Sequence, residues 1–166
     1  SVQQILNATA PDAIHGRAQA SETDSGYALY MCGDTTTLRI DGHDFKVAAS
    51  PYSNANSAAS ANRAYQVGVE GLVEWLGSLE PPPGRSEAPL DLLLTHGPCD
   101  ALGEWVGTHQ PRLHAYGHVH SAYGAEWQHH AQGRSTFVLN AALADHAYAP
   151  MNPPIVVDLP LLARTR

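Results

Sequence analysis

The chain contains little cysteine and little positive charge. Its two cysteines, Cys32 and Cys99, have no paired spacing, so the sequence predicts two reduced thiols rather than a disulfide framework or a cysteine-based zinc finger. The 9 Lys and Arg residues stand against 16 Asp and Glu residues, which gives a formal net charge of −7. Such a balance provides no basic stripe, so we expect no nucleic-acid or anionic-lipid partner.

Long apolar runs are also absent. No stretch approaches the roughly 18 apolar residues of a membrane helix, and the amino terminus lacks a signal-peptide pattern, so we expect a soluble, cytoplasmic protein with no membrane partner. With 166 residues, the chain is long enough for one domain and too short for two ordinary ones. It begins at Ser1 rather than at methionine, which suggests that upstream material has been removed or left out.

Three histidines follow apolar runs that are typical of buried strands. The run over 113–116 ends at a glycine that leads into His118 and His120, and the run over 90–95 ends at His96. If both strands lie in one sheet, the three histidines meet at its rim, where ligands of open α/β sheets collect. Neutral imidazole is a common ligand for Zn, Fe and Mn, so the pattern predicts a metal site.

Hydrophobic periodicity and turn residues predict an α/β fold with a mixed sheet. The first predicted elements are a helix over 2–8, a loop to Gly26, an apolar run over 27–31, and hairpin strands 35–40 and 43–49 around Asp41-Gly42. A polar segment over 54–62, which is a loop or a frayed helix start, precedes an amphipathic helix over 64–79. The remaining elements are strand 90–95, a short helix over 100–105, strand 113–116, strands 121–126 and 135–140 around a polar loop, and a final strand over 155–159. In the amphipathic helix, the residues expected to face the sheet are Val69, Leu72, Val73, Leu76 and Leu79, with Trp75 at the edge.

Other polar side chains have less specific interpretations. His114 lies within a buried run and is expected in the core or as a support for a ligand. Thr95 and Asn140 either orient the site or cap strand ends, and Cys99 is interpreted as an inert thiol. The remaining histidines are expected to be exposed or in loops, and these are His15, His43, His109, His129, His130 and His146.

An ordered set of motifs resembles the calcineurin-like metallophosphoesterases, and within them the branch of small metallophosphoesterase-domain proteins. The motifs are Ala-Ala-Ser-Pro at 48–51, Thr-His-Gly-Pro at 95–98, Gly-His-Val-His at 117–120, Leu-Asn-Ala at 139–141 and Asn-Pro-Pro-Ile-Val-Val-Asp-Leu-Pro at 152–160. The resemblance extends from about Tyr27 to the end of the chain. The order of these motifs is stronger evidence than any single motif, because short motifs often match by chance.

This resemblance implies a four-layer αββα sandwich with two divalent metal ions, Mn, Fe or Zn, between its sheets. It implies that His96 and His118 bind one metal and that His120 binds the other. It also implies a metal-dependent phosphoester hydrolase, with phosphodiesters as the expected substrates.

The family's D-x-H, G-D and G-N-H motifs, which precede the hairpin, have no counterpart in this chain. Asp41-Gly42-His43 and Gly33-Asp34 spell two of them but lie within the predicted hairpin, in the wrong order. We therefore expect 1–166 to be a single, partial domain, the carboxyl-terminal half of the sandwich. No catalytic residue is assigned, because the resemblance places the general acid in the amino-terminal half.

Two functional hypotheses remain open at this stage. The first is a dinuclear phosphoester hydrolase that acts on a small phosphoester and needs the amino-terminal half, or a second copy of the chain, to complete its site. The alternative is an inactive, truncated scaffold that serves as a metal-binding or protein-interaction module, with an exposed sheet edge available to a partner.

Overall fold

The computed structural model describes residues 19–23, 26–40, 43–53, 65–79, 90–98, 100–131 and 133–160. Within these ranges the strands are β1 Gln19–Thr23, β2 Gly26–Tyr30, β3 Asp34–Ile40, β4 His43–Ser50, β5 Leu92–Thr95, β6 Leu113–Tyr116, β7 Gly124–His129 and β8 Ser135–Asn140. The helices are α1 Val69–Ser78 and α2 Asp100–His109, and a 3₁₀ turn covers His120–Ala122. Among the described residues, no helix combines the length and apolar character that a membrane crossing requires.

Six strands form one mixed sheet in the order β3-β4-β5-β6-β8-β7. The four inner strands are mutually parallel, whereas β3 and β7 pair antiparallel at the two ends of this order. The prediction of an α/β fold with a mixed sheet is therefore confirmed. Strands β1 and β2 form a separate antiparallel pair.

Both helices contribute to the main hydrophobic core. Leu93 of β5 and Ala48 of β4 are fully buried in one cluster with Trp75 and Leu76 of α1 and Val106 of α2. Side chains alternate between the two faces of a strand, so the helices cover the face that carries Leu93. This packing holds the central parallel strands against the helices and sets the position of their carboxyl ends.

The predicted hairpin is confirmed, because β3 and β4 pair antiparallel with Ile40 opposite His43. The strand over 113–116 is also confirmed, and it lies between β5 and β8 in the middle of the sheet. The two turn residues of the hairpin lie outside the described residues. So do the predicted helix over 2–8 and the polar segment over 54–62.

Helix α1 is shorter than predicted, because it begins at Val69 rather than near residue 64. The residues just before it bond to another part of the chain: Ser53 N–H donates to Tyr65 O, and Val67 N–H donates to Ser53 O. These backbone groups form a bridge between distant segments, so they are not available to a helix.

The buried face of α1 also differs from the prediction. Leu72, Trp75 and Leu76 are buried, whereas Val69 and Val73 are each 52% exposed. Trp75 therefore lies in the core and not at its edge. The large indole ring buries more apolar area than a valine, which favours the rotation of the helix that places it inside.

Four further boundaries were predicted wrongly. The predicted loop to Gly26 contains β1, whose strand character comes from pairing with β2. Helix α2 continues past residue 105, because Leu102, Trp105 and Val106 extend its buried stripe. Residues 120–122 form the 3₁₀ turn, and β7 begins at Gly124 and extends through His129, where it still pairs with β8.

The predicted final strand over 155–159 has no strand partner among the described residues. Val156 is 89% exposed. Alternating apolar residues fit a pleated surface, but a strand forms only where another strand supplies its hydrogen bonds. Pro153 and Pro154 lack the N–H groups that such pairing needs.

Candidate metal centre at the ends of the parallel strands

His96 and His118 come together at the carboxyl ends of two adjacent strands. Strands β5 and β6 pair in parallel, with Leu94 opposite Ala115, so the segments that follow them leave the sheet on the same side. The two imidazole rings lie 4.7 Å apart between centroids, with an interplanar angle of 42°. The structure thus brings together two residues that are 22 positions apart in the chain.

The two loops also bond directly to each other. Gly117 N–H donates to His96 O at 3.0 Å. Gly97 lies against the His118 side chain, and a Cβ atom at Gly97 would be 3.1 Å from His118 Cδ2. Such a contact is too tight without a local shift, so the absence of a side chain at Gly97 lets the two histidine loops approach this closely.

His118 adopts a left-handed backbone conformation, with φ of 69°. This region costs a residue with a Cβ atom roughly 1 kcal/mol or more, whereas glycine adopts it without this cost. Strain of this kind persists where surrounding contacts hold the backbone in place, and it is concentrated at functional sites. Among the described residues, Tyr65, Gln110 and Tyr148 share a positive φ with His118.

The electrostatic environment favours a neutral His96 imidazole. Partial burial of the ring, although the residue as a whole is exposed, lowers its pKa from the ordinary value, and repulsion by His118 lowers the pKa further. A neutral imidazole has a lone pair for a metal ion, which a protonated ring lacks. The pair therefore suits a divalent cation.

His120 has a different neighbour. Its ring contacts Tyr148 edge to face, with centroids 4.8 Å apart. Among the described residues, no three His, Cys, Asp or Glu side chains form a cluster that could hold a metal ion. Of the three histidines, the structure therefore brings His96 and His118 together.

A buried polar chain supports the His96 loop. His114 Nε2 lies 3.0 Å from Thr95 Oγ1, and the Thr95 hydroxyl donates to Gly97 O at 3.4 Å. The direction of the Thr95–His114 hydrogen bond depends on which imidazole nitrogen carries the hydrogen. Burial lowers the pKa of His114 to about 4, so the ring is neutral near pH 7. This agrees with the prediction of a core or supporting role.

Asn140 supports the second loop. Its Nδ2 donates to Val119 O at 2.6 Å, and its Oδ1 accepts from Ala142 N at 3.0 Å. Val119 lies between the two histidines of the His-x-His motif. The sequence left two roles open for Asn140, which were to orient the site or to cap a strand end. The structure shows that its side chain bonds to the histidine loop.

The remaining histidines are more varied than predicted. His129 and His130 bond to hydroxyl groups across the β7–β8 pair, at 2.8 Å to Ser135 Oγ and 2.9 Å to Thr136 Oγ1. His129 is exposed as expected, although it belongs to β7. Two expectations were wrong: His43 begins β4, and His109 ends α2 with its ring stacked on Trp105. His146 is exposed as expected, while His15 and Cys99 lie outside the described residues.

Sequence reasoning missed two contributors to this region. Gly97 had no role of its own beyond the Thr-His-Gly-Pro motif, although its close approach to His118 is a tertiary contact. Tyr148 was not singled out, and its 28-residue separation from His120 leaves no local signal for their ring contact. Strand-end placement predicted that three histidines meet. The structure shows the approach of His96 and His118, while the bonds between their loops and the Tyr148 contact of His120 were not predicted.

Comparison with known proteins found relatives over part of the chain. It is 39% identical over 88 residues to the human "Metallophosphoesterase domain-containing protein 1", covering 43% of this chain and 26% of the relative. It is 40% identical over 52 residues to the "UPF0046 protein C25E10.12" of Caenorhabditis elegans, covering 31% and 17%. It is 32% identical over 114 residues to a "Probable rhamnogalacturonate lyase C" of Emericella nidulans, covering 59% and 10%.

The chain thus spans about a quarter of the length of the human relative and less of the other two. No family model matches it, and no solved structure matches it. The match to the human protein, which the mouse protein of the same name repeats with the same identity and coverage, supports a metallophosphoesterase-like family for this chain.

Proposed function

We propose that the chain is part of a metal-dependent phosphoester hydrolase, with phosphodiesters as substrates. The observation that carries this proposal is the meeting of His96 and His118 at the ends of two adjacent parallel strands. Ligands of open α/β sheets bind at such strand ends. Similarity to metallophosphoesterase domain-containing proteins supports a phosphoesterase-type function over the matched segment.

In this proposal, His96 and His118 bind one divalent ion and His120 binds a second, with Mn, Fe or Zn as the candidates. Divalent ions at such centres supply Lewis acidity toward a phosphoryl oxygen. The chain's own contribution is to present the neutral His96 imidazole beside His118 and to hold both loops in place through Thr95 and Asn140. A carboxylate bridge and a general acid come from the amino-terminal half of the domain or from a second copy of the chain.

The sheet has a second apolar face that suits a further layer. Val47, Leu92, Leu113 and Phe137 are aligned across four strands, on the face opposite Leu93. Leu113 is buried and Leu94 is 37% exposed, so this face is covered only in part. Two sheets stack through faces of this kind. This supports the proposal that the sheet is the carboxyl-terminal half of a four-layer αββα sandwich.

An inactive metal-binding or interaction module is the second candidate. The observation that favours it is that, within the described ranges, no third ligand side chain joins the histidine pair. Two imidazoles without a carboxylate leave a dinuclear centre poorly neutralised. This candidate predicts weak metal binding and no turnover.

Hydrolysis of bis(p-nitrophenyl) phosphate by the full chain loaded with Mn²⁺ separates the two candidates, with metal content measured on the same sample. The hydrolase proposal predicts turnover in this chain, alone or after addition of an amino-terminal half, that disappears in His120→Ala. Bound metal without turnover, both for the chain alone and for the chain with an added amino-terminal half, supports the inactive module. Equal turnover in His120→Ala would contradict the assignment of that ligand.

A further inference from the structure

Asn140 has an unusually constrained environment. It is 2% exposed, ends β8, and lies opposite Tyr116 at the end of β6. The parallel ladder continues one step further through Ala141 N–H, which donates to Tyr116 O at 2.7 Å. Beyond that point the chain leaves β6 through Gly117. The Asn140 side chain supplies the next donor.

Both ends of the Asn140 amide group are used. Its Nδ2 donates to Val119 O, and its Oδ1 accepts from Ala142 N. The first bond holds the peptide group that joins Val119 to His120, which lies between the two histidines. A buried amide satisfied at both ends is rigid, because loss of either partner leaves a polar group without water to replace it.

Two hydrogen bonds tie the histidine loop to neighbouring segments, and a third closes a turn within it. Gly117 N–H donates to His96 O, Val119 N–H donates to Gly117 O, and Val119 O accepts from Asn140. His118 lies between the first and the last of these bonds, with its φ of 69°. Val119 O also accepts from Ala122 N–H at 3.1 Å, but that bond lies within the same stretch of chain, whereas the Asn140 bond ties Val119 to β8. If the Asn140 bond is removed, this tie to the sheet is lost, and we expect the left-handed conformation of His118 to relax toward a more favourable region.

We propose that Asn140 is the positioning residue of the His118–His120 loop: it holds the strained His118 backbone and thereby keeps the His118 ring beside His96. The proposal deepens the proposed function, because it assigns a residue that prepares the metal site without binding the metal. Groups that orient ligands typically change metal affinity by about 10- to 100-fold when they are lost.

The test uses three variants of the full chain. Asn140→Asp is nearly isosteric and replaces the donor to Val119 O by an acceptor, whereas Asn140→Ala removes both bonds without introducing a charge. Asn152→Asp is the matched control, because Asn152 Nδ2 also donates to backbone carbonyls, Ala142 O at 2.8 Å and Ala144 O at 3.4 Å, outside the histidine loop. Circular dichroism and thermal unfolding verify that each variant folds.

The first readout needs no metal. In the wild-type chain, the His96 and His118 rings are close enough for a ring-to-ring nuclear Overhauser effect. We expect this effect to be lost in both folded Asn140 variants and kept in Asn152→Asp. Its persistence in a folded Asn140 variant, or its loss in the control, overturns the proposal.

The second readout is titration with Zn²⁺ alone by calorimetry. We expect Zn²⁺ affinity to fall about tenfold or more in the Asn140 variants and to stay within about twofold in Asn152→Asp. If the wild-type chain binds no Zn²⁺, the proposed function fails, while the ring-to-ring effect still decides the role of Asn140.

If neither Asn140 variant folds, the wild-type chain decides the question. The Asn140 side-chain amide must then show slow hydrogen exchange and a through-bond coupling to the Val119 carbonyl carbon, as its bond requires. Fast exchange without that coupling overturns the proposal.

Discussion

Histidines that follow the inner parallel strands of the sheet make different contacts from histidines at the outer antiparallel strand β7. At the inner strands β5 and β6, two histidines leave the sheet together and face each other. At the outer strand β7 and its neighbour β8, His129 and His130 each bond to a hydroxyl group across the strand pair. Side chains that follow adjacent parallel strands come together in loops. At the antiparallel pair, the histidines form hydrogen bonds with hydroxyl groups on the neighbouring strand.

The same contrast holds for charges. Asp91 and Arg112, just before β5 and β6, form an ion pair at 2.8 Å with side chains 11% and 17% exposed. Arg39 and Asp44, near the β3–β4 turn, lie 3.7 Å apart and are much more exposed. The same residue types therefore form a short, largely buried ion pair beside the inner strands and a longer, exposed pair near the outer strand. The following experiments test that contrast, beginning with the largest expected effect.

The histidine pairs give the sharpest contrast. We expect His118→Ala to weaken Zn²⁺ binding by more than about 100-fold, beyond the usual effect of losing a supporting group, because it removes a proposed ligand. The matched changes His129→Ala and His130→Ala are expected to leave Zn²⁺ affinity within about twofold. Calorimetric titration measures all three, and equal losses at both ends of the sheet would refute the contrast.

The ion pairs differ in burial. We expect Asp91→Ala to lower the free energy of unfolding by about 3 kcal/mol, because it removes the carboxylate partner of the largely buried Arg112 guanidinium, which keeps only Pro160 O, and the acceptor for Lys46 N–H. Asp44→Ala is expected to cost about 0.5 kcal/mol or less, since that pair is exposed. Urea unfolding followed by circular dichroism compares them, and similar losses would contradict this difference.

Apolar residues extend the comparison to packing. Leu93 on β5 has no exposed surface, so Leu93→Ala is expected to cost about 2–5 kcal/mol of unfolding free energy. Trp127 on β7 is 59% exposed and contacts mainly the Phe137 ring, at 4.9 Å between centroids, so Trp127→Ala is expected to cost about 1 kcal/mol. Urea midpoints provide the test, and a larger loss for Trp127→Ala would show that β7 carries more of the core than its exposure indicates.

The pH dependence of stability tests the buried His114. Its pKa is about 4 in the folded chain and about 6.5 when unfolded, so below pH 6.5 the unfolded state binds a proton that the folded state excludes. Stability contributed by this group is full above pH 7 and falls as pH drops from about 6.5 to 4. The expected loss between pH 7 and pH 5 is about 2 kcal/mol.

His114→Gln keeps a neutral donor near Thr95 and cannot titrate. We expect its unfolding free energy to depend less steeply on pH than that of the wild-type chain in this range. Parallel curves for the two proteins would show that His114 does not titrate as its burial requires.

Local pattern predicted the elements whose partners are close in sequence or whose burial is complete. The strands of the hairpin around residues 41–42 are adjacent in sequence, and the run over 113–116 lies between two parallel strands with Leu113 and His114 buried. The start of α1 and the final segment over 155–159 were predicted wrongly, because each depends on distant groups. Backbone groups of Tyr65 and Val67 form hydrogen bonds with Ser53 instead of extending α1. Among the described residues, no strand pairs with the final segment.

The candidate site divides in the same way. The sequence by itself determined that His96, His118 and His120 follow buried strands, because apolar runs and glycine breaks are local properties. Only the tertiary structure decided that His96 faces His118, that His120 contacts Tyr148, and that Asn140 bonds between the histidines. The physical reason is that strand order and loop-to-loop hydrogen bonds join residues far apart in the chain, and no local periodicity records them.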